Sequence, residues 1–407
     1  AMRALLPHFN SLSIRIPLML IGSAFVAALA VGVNSHLQSS RSLIRKDMET
    51  ADNTARFRAT VLSRIGEGFA TDLRIMADAP TIREAYDFLS GVYDNRATKD
   101  DALRRHYTER KPPSGQTRAD YLGEDDRSTY AIGHKRWHPL LKSMARDKKL
   151  YDLFLISPTG EVIYTVEKEA DFATNLRTGP WRATGLAKAF EGALAKAAKD
   201  EVQFADFEPY EPSAGAPASF IAKAVRDENG QVIAILAVQI SDAAISTFIA
   251  DTFDEDGVSY AIGEDARLRT PIERRGNHKV LSQTPNKALI EQAKAARKPV
   301  SAVITSIDGQ EAYVSLAPAE FIGQTWYVVA DVSKNAINAE SRELALRNGL
   351  IAAALIGLLS IGAIFIARGI TGPVNRMRDA VGRLASGESG EIPGEERRDE
   401  LGDLARS

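Results

Sequence analysis

Two uncharged apolar runs frame the chain. Ile16–Ser35 contains Leu18, Met19, Leu20, Ile21, Phe25, Val26, Leu29, Val31 and Val33, and 348–367 is the second run, with Arg347 and Arg368 at its ends. About 20 apolar residues cross a bilayer's hydrocarbon core as a helix, so the pattern predicts transmembrane helices at 16–35 and 348–367. Arg3 and Arg15 precede or abut the first run with no acid among residues 1–15, and Arg368, Arg376, Arg378 and Arg383 follow the second. Positive flanks stay cytoplasmic, which sets 1–15 and 368–407 inside and 36–346 outside. A cleaved signal peptide is the competing reading of the first run, because Ala28-Leu29-Ala30 has the small residues of a cleavage site.

Between the runs the apolar period is first helical. Met48, Ala55, Leu62, Phe69 and Met76 recur every seven residues, with Leu37, Ile44, Ala51 and Ile65 on a companion row. This predicts a long amphipathic helix within 36–90. Arg58 and Asp72 interrupt the companion row, leaving two readings: a loose coiled coil, or a helix packed on its own domain. Asp78-Ala79-Pro80 ends it, and Thr81 with Glu84 reads as the capping box of a short helix through Leu89. Residues 94–128 are polar, a surface excursion around Lys111-Pro112-Pro113, and a helix is expected over Trp137–Lys149.

The period then changes to that of strands. Tyr151–Ile156 and Val162–Val166 flank the turn Ser157-Pro158-Thr159-Gly160. A helix over Thr184–Lys199 and strands at Val202–Phe207, Ala218–Val225 and Val232–Ile240 complete an antiparallel sheet with helices on one side, as in PAS-like sensor domains. The pattern returns in shorter form. It comprises a helix at Ser241–Phe253, a hairpin of Ser259–Gly263 and Arg267–Thr270, a helix at Lys287–Arg297, and strands at Val300–Ile307, Glu311–Pro318 and Thr325–Asp331. Ser333 caps a helix that enters the membrane run through Ile337, Leu344 and Ile351. Beyond it Ile370, Val374, Met377, Val381 and Leu384 step by four and three, a seam for a parallel helical bundle. Gly387 and Gly390 break that helix, and Asp399–Leu404 starts another.

Composition narrows the function. The net charge is -2 with basic residues scattered, so nucleic acid is not an expected partner. There is no cysteine, which removes disulfides, thiolate chemistry and cysteine-bound zinc. Phosphate-loop, His-Glu-x-x-His and nucleophile-elbow motifs are missing from the sequence, so no enzyme chemistry and no cofactor are expected. Asp254, Asp256 and Gly257 outline a calcium loop poorly: Thr252 stands at the first ligand position and Glu264 comes one residue late. His134 and His138 share a helix face without a third ligand nearby, so no metal is assigned.

The chemistry left is that of small-molecule binding. A carboxylate needs a fixed cation, an amine needs an acid, and aromatic walls exclude water. Arg136, Trp137 and His138 precede the first strand. Tyr164, Lys168 and Asp171 follow the first turn, and Phe207, Tyr210 and Phe220 come from later strands. These nine are the expected ligand site, in the membrane-distal module at 120–240. Each of them also has a plainer reading, as core aromatic or solvated charge.

The resemblance to known families enters on particular residues. Ile370-Thr371-Gly372-Pro373 and Asp399-Glu400-Leu401-Gly402-Asp403-Leu404 resemble the two helix signatures of a HAMP linker, with Leu401 replacing the more usual isoleucine. Tyr151–Ile156, Val162-Ile163-Tyr164, Lys168–Phe172 and Thr174-Asn175-Leu176, followed by Gly257–Gly263 with Leu268-Arg269, are similar to the double-Cache sensors of bacterial methyl-accepting chemotaxis receptors. The resemblance implies an α+β fold: a long N-terminal helix, two stacked PAS-like antiparallel-sheet modules (120–240 and 241–332), two transmembrane helices and a HAMP helical linker. It implies a homodimeric multi-pass receptor of the bacterial inner membrane with a periplasmic sensor, a small-molecule ligand such as an amino acid or carboxylate, and cytoplasmic signalling partners. Pro373, Met377, Val381, Leu384, Glu400, Leu401 and Leu404 would form the signal relay. The same input arrangement occurs on class III nucleotide cyclases and histidine kinases, which is the rival reading.

Overall fold

A computed structural model of the chain describes residues 12–94, 102–112, 114–124, 126–249, 257–387 and 393–407. The arm before Leu12, the poor calcium loop at 252–256 and Gly390 lie outside the described residues. The chain divides into two compact units, one at Asp47–Asn335 and one made of Ala1–Lys46 with Ala336–Ser407.

Helix α1 runs unbroken over Leu12–Asp78. Its buried stripe is Ala51, Ala55, Ala59, Leu62, Gly66, Ala70, Leu73, Met76 and Ala77, so Ala55, Leu62 and Met76 of the expected seven-residue row are buried while Met48 is 38% exposed. From residue 47 on, the helix is therefore packed on its own domain, the second of the two sequence readings. Small residues dominate the stripe because the helix backbone comes close to the sheets. A Cβ on Gly66 would meet Phe321 Cδ2 at 3.0 Å and the Ile322 nitrogen at 3.3 Å. Asp52 accepts a hydrogen bond from Ser315 at 3.0 Å, the Arg58 guanidinium donates to the Ile249 carbonyl at 2.9 Å, and Asp72 pairs with Lys148 at 2.7 Å. α2 (Pro80–Asp94) begins at the proline, where a missing N–H costs nothing, so Thr81 lies inside the helix and is not its cap. α3 (Thr129–Asp147) begins well before Trp137, because Ser128 Oγ accepts from the Ala131 N–H at 3.3 Å and caps it.

The first sheet has the order β2-β1-β5-β4-β3, all antiparallel: β1 Asp152–Ile156, β2 Val162–Thr165, β3 Gln203–Tyr210, β4 Ala216–Arg226 and β5 Val232–Ile240. α4 (Gly185–Ala195) lies between β2 and β3 in sequence. Phe154, Leu186, Phe190, Tyr210 and Phe220 share one core cluster, which places α4 on the Phe154 face. Leu155 points to the opposite face, since side chains alternate along a strand. Tyr164 pairs with Leu155 and lies on that face with α3. Helices thus cover both faces of this sheet, whereas the sequence reading put them on one.

A short helix, α5 (Asp242–Ile249), leads to the second sheet, of order β6-β9-β8-β7. Its strands are β6 Gly257–Ile262, β7 Val300–Thr305, β8 Glu311–Phe321 and β9 Gln324–Ser333, with α6 (Lys287–Ala296) packing Leu289 and Ile290 on Tyr260 and Val329. The expected strand at Arg267–Thr270 forms only isolated bridges, Ile262 to Leu268 and Arg267 to Gln283. α7 (Lys334–Ala385) follows β9 directly and runs through Pro373. Among the described residues, one helix is long and apolar enough to cross a membrane, Arg342–Ala385, with mean hydropathy 2.7 in its best window. The first run holds a shorter apolar stretch, Ile21–Asn34. α8 (Glu400–Arg406) ends the chain.

Candidate ligand site and signalling segment

The nine expected ligand residues do not assemble in one place. On the α3 face of the first sheet, His138 Nε2 lies 2.8 Å from the Ala119 carbonyl and its Nδ1 lies 2.6 Å from the Tyr164 hydroxyl. An imidazole whose Nε2–H donates to that carbonyl leaves Nδ1 to accept from tyrosine. His134 stacks on His138 with ring centroids 4.5 Å apart. Burial, then the charge of Lys168, holds both rings neutral, His138 down at about 3. The Lys168 ammonium is buried against the carbonyls of Arg118 and Val166, at 3.1 and 3.2 Å, and burial lowers it to about 7. These residues form a packed polar seam under α3. No group of three or more metal-ligating side chains occurs among the described residues.

Asp171, Tyr210 and Phe220 sit on the other face. The Tyr210 hydroxyl donates to Asp171 Oδ2 at 2.5 Å, and its ring meets Phe220 edge-on at 4.8 Å. Asp171 Oδ1 is buried without a partner. Burial pushes this carboxyl up to about 7, against the lowering effect of the Tyr210 bond. Gln239 stands opposite both Asp152 and Phe220 in the sheet, and its Oε1 is also buried without a partner. Asp152 accepts from Thr165 at 2.5 Å and from the Val166 N–H at 2.7 Å, and burial raises it well above the usual carboxylate range. Glu169 accepts from Tyr151 at 2.9 Å and Ser213 at 2.5 Å. The cluster is rich in acceptors, two of them unsatisfied. It suits a ligand group made of donors, such as an ammonium.

The remaining residues lie elsewhere. Arg136 is exposed, its guanidinium 5.0 Å from the ring of its neighbour Trp137 and 6.0 Å from that of Phe88 on α2. Trp137 is buried. Phe207 turns toward the second module, 6.1 Å from Trp326. The cation expected for a ligand carboxylate is therefore not on the face of Asp171, because the helix carrying Arg136 packs on the reverse of the sheet. The sequence reading missed Asp152, Gln239 and Glu169. The available signal was a lone polar residue inside each of two apolar strands, Asp152 in β1 and Gln239 in β5.

The C-terminal segment has its own geometry. Asp399 caps α8 by accepting the Gly402 N–H at 3.1 Å, and the Arg397 guanidinium beside it lowers its carboxyl to about 2. Arg406 donates to the carbonyls of Glu395 and Arg397 at 2.6 and 2.8 Å. Pro373, Met377 and Ala380 are buried against this connector, while Val381, Leu384 and Leu404 are 56%, 43% and 64% exposed. Val374, Met377, Val381 and Leu404 line an apolar groove of about 370 Å³. Leu401 is half-buried and Glu400 exposed.

Residues 365–407 match the HAMP domain family. The matched segment begins inside the membrane-length helix and takes in the expected linker at 368–407. No curated protein matches the chain. Similar solved structures include the sensory domain of the Campylobacter jejuni chemoreceptor Tlp3, at 11% identity over 74% of this chain and 98% of that one, TM-score 0.43. Another is the ligand-binding domain of the Pseudomonas fluorescens chemoreceptor CtaA in complex with L-isoleucine, at 16% identity over 74% and 98%, TM-score 0.35. A third is the extracellular domain assigned to a histidine kinase, rpHK1S-Z16, at 13% identity over 72% and 97%, TM-score 0.44.

Proposed function

We propose that this chain is the input half of a bacterial chemoreceptor. It would be a homodimer anchored by two membrane helices, binding a small amine-bearing ligand outside the cell and passing a conformational signal to a cytoplasmic output. The single observation that carries the ligand reading is the Asp171 carboxylate. It is fully buried on the α4 face, with one oxygen held by Tyr210 and the other unpartnered. Native proteins rarely leave a buried acceptor unsatisfied without a functional reason. An ammonium at Asp171 Oδ1 and Gln239 Oε1 would satisfy both, with Phe220 and Tyr210 as walls. Such a ligand favours the charged carboxylate, and it biases the sensor only by its differential affinity for the two signalling states.

The exposed apolar row of Val374, Val381, Leu384 and Leu404 supports a second copy as the partner of the HAMP segment. Repacking of Met377, Val381, Leu384, Leu401 and Leu404 would then be the relay, with Pro373 inside α7 and Glu400 at the start of α8. The output class would distinguish a methyl-accepting receptor from the sensory half of a nucleotide cyclase or histidine kinase. The ligand experiment is a thermal-shift panel on the full chain in detergent, with amino acids, diamines and dicarboxylates as probes. The expected result is a stabilising amine whose shift disappears in Asp171→Asn and persists in Arg136→Ala. A dicarboxylate hit that depends on Arg136 and ignores Asp171 would overturn the site.

A further inference from the structure

One irregularity in β3 gives the strand two functions. Its ladder with β4 runs from Gln203 opposite Ala222 to Ala205 opposite Phe220, breaks, and resumes with Glu208 opposite Ala218. Three steps on β3 match two on β4, so Asp206 and Phe207 form a β-bulge, which bends the strand and re-aims side chains. Ala205 and Tyr210 both belong to the α4-side core. They are an odd number of residues apart and would face opposite ways on an unbroken strand. The extra residue is what turns Tyr210 toward Asp171.

The same bulge directs its own side chains at the second module. Asp206 receives the Nε and Nη2 of Arg269 at 2.9 and 2.8 Å. Phe207 and Phe204 lie 6.1 and 5.8 Å from Trp326, which stacks on Phe321 at 4.1 Å. Arg269 is 4% exposed and rests on Gly263, where a Cβ would fall 2.2 Å from Nη2. Phe321 is in turn the residue against which Gly66 of α1 packs.

We propose that the Asp206–Phe207 bulge is the coupling joint between the modules, and that Arg269 of the second module is a positioning residue for the Asp171–Tyr210 site of the first. A bidentate guanidinium–carboxylate pair has a narrow geometry, so the bulge keeps its shape only while Arg269 holds it. Movement of Tyr210 by a ligand then works against that pair and against the Trp326 stack. The signalling meaning rests on the ligand reading given above. The coupling itself needs no ligand to test, so the two fail separately.

The experiment is amide hydrogen exchange on the full chain in detergent. Gly263→Ala displaces the Arg269 guanidinium from within the second module. It is expected to speed exchange about tenfold at 208–210 and 171–174 in the first module, the scale of an ordinary coupling between sites. Tyr210→Phe removes one hydroxyl from the first module, and exchange at 268–270 in the second should rise with it, because equilibrium coupling is reciprocal. If Gly263→Ala does not fold, Arg269→Lys takes its place in the second module, keeping the charge and losing the bidentate geometry. Effects confined to the mutated module, or transmitted in one direction only, overturn the proposal.

Discussion

Asp171 and Lys168 lie on one short loop, and burial drives both toward neutrality from opposite ends of the pH scale. The folded value of Asp171 is raised from 3.8 to about 7, so its folded state binds more protons than the unfolded chain between those limits. Stability therefore falls as pH rises through that window. Lys168 is lowered from 10.5 to about 7, and its contribution to stability is lost as pH falls through the window between them. The two slopes meet near neutrality. We expect Asp171→Asn to flatten the decline in stability on the acid side, by on the order of a few kcal/mol, and Lys168→Met to flatten the rise on the alkaline side. Unfolding curves across pH check both; an unchanged acid limb in Asp171→Asn would show that Asp171 titrates as an ordinary exposed carboxyl. The sequence marked Asp171 and Tyr210 as candidates by residue type alone. It could not pair them, because the bond between them depends on a bulge that no local pattern announces.

At the level of elements, α1 carries a direct test of close packing. Gly66 has Phe321 within 3.0 Å of a Cβ position, while Gly68, two residues on and on the opposite side of the same helix, has nothing within 4 Å. Gly68→Ala is expected to stabilise the protein by about 1 kcal/mol through helix propensity. Gly66→Leu overfills the contact and should cost about 1–3 kcal/mol. Denaturant unfolding of the two variants side by side separates packing from propensity. α8 gives a second test. A Cβ on Gly402 would lie 2.1 Å from the Arg397 carbonyl oxygen, a backbone atom with no room to move. Gly402→Ala should therefore unseat the first turn of α8 and remove the Asp399 cap, worth about 1 kcal/mol, seen as faster amide exchange at 402–405. The amphipathic period of α1 was legible in the sequence, but not which stripe is buried. The buried stripe keeps Ala55, Leu62 and Met76 of the expected row and drifts to Ala51, Ala59, Gly66 and Ala70 beside them, where the close approach of the sheets favours small residues.

On the scale of the whole molecule, orientation across the membrane is the decisive property. The absence of cysteine from the sequence makes single-cysteine labelling clean. Ser114→Cys, exposed in the unit at 47–335, is expected to react with an impermeant maleimide in intact cells. Ser386→Cys, just beyond α7, should react only after permeabilisation. Labelling of both from outside would contradict the proposed topology. Leu358→Arg, in the middle of the membrane-length helix, should cost about 2.5–3.5 kcal/mol of insertion and leave the protein poorly integrated, which fractionation measures.

Residue order alone determined the elements whose cause is local. The uncharged run at 348–367 reads as a membrane helix because the bilayer demands length and apolarity and nothing else. The strand alternation after Tyr151, the Gly-bearing turns and the HAMP signature at 370–404 are likewise short-range patterns. Tertiary structure decided what depends on two distant segments meeting. It split the expected ligand residues between two faces of one sheet, placing Arg136 and Lys168 away from Asp171. It turned Phe207 toward Trp326 of the second module, and it gave Arg269 a distant partner, Asp206, that its sequence neighbourhood does not announce. Side-chain direction in a strand turns over with every residue inserted, and only the paired ladder reveals where the insertion falls.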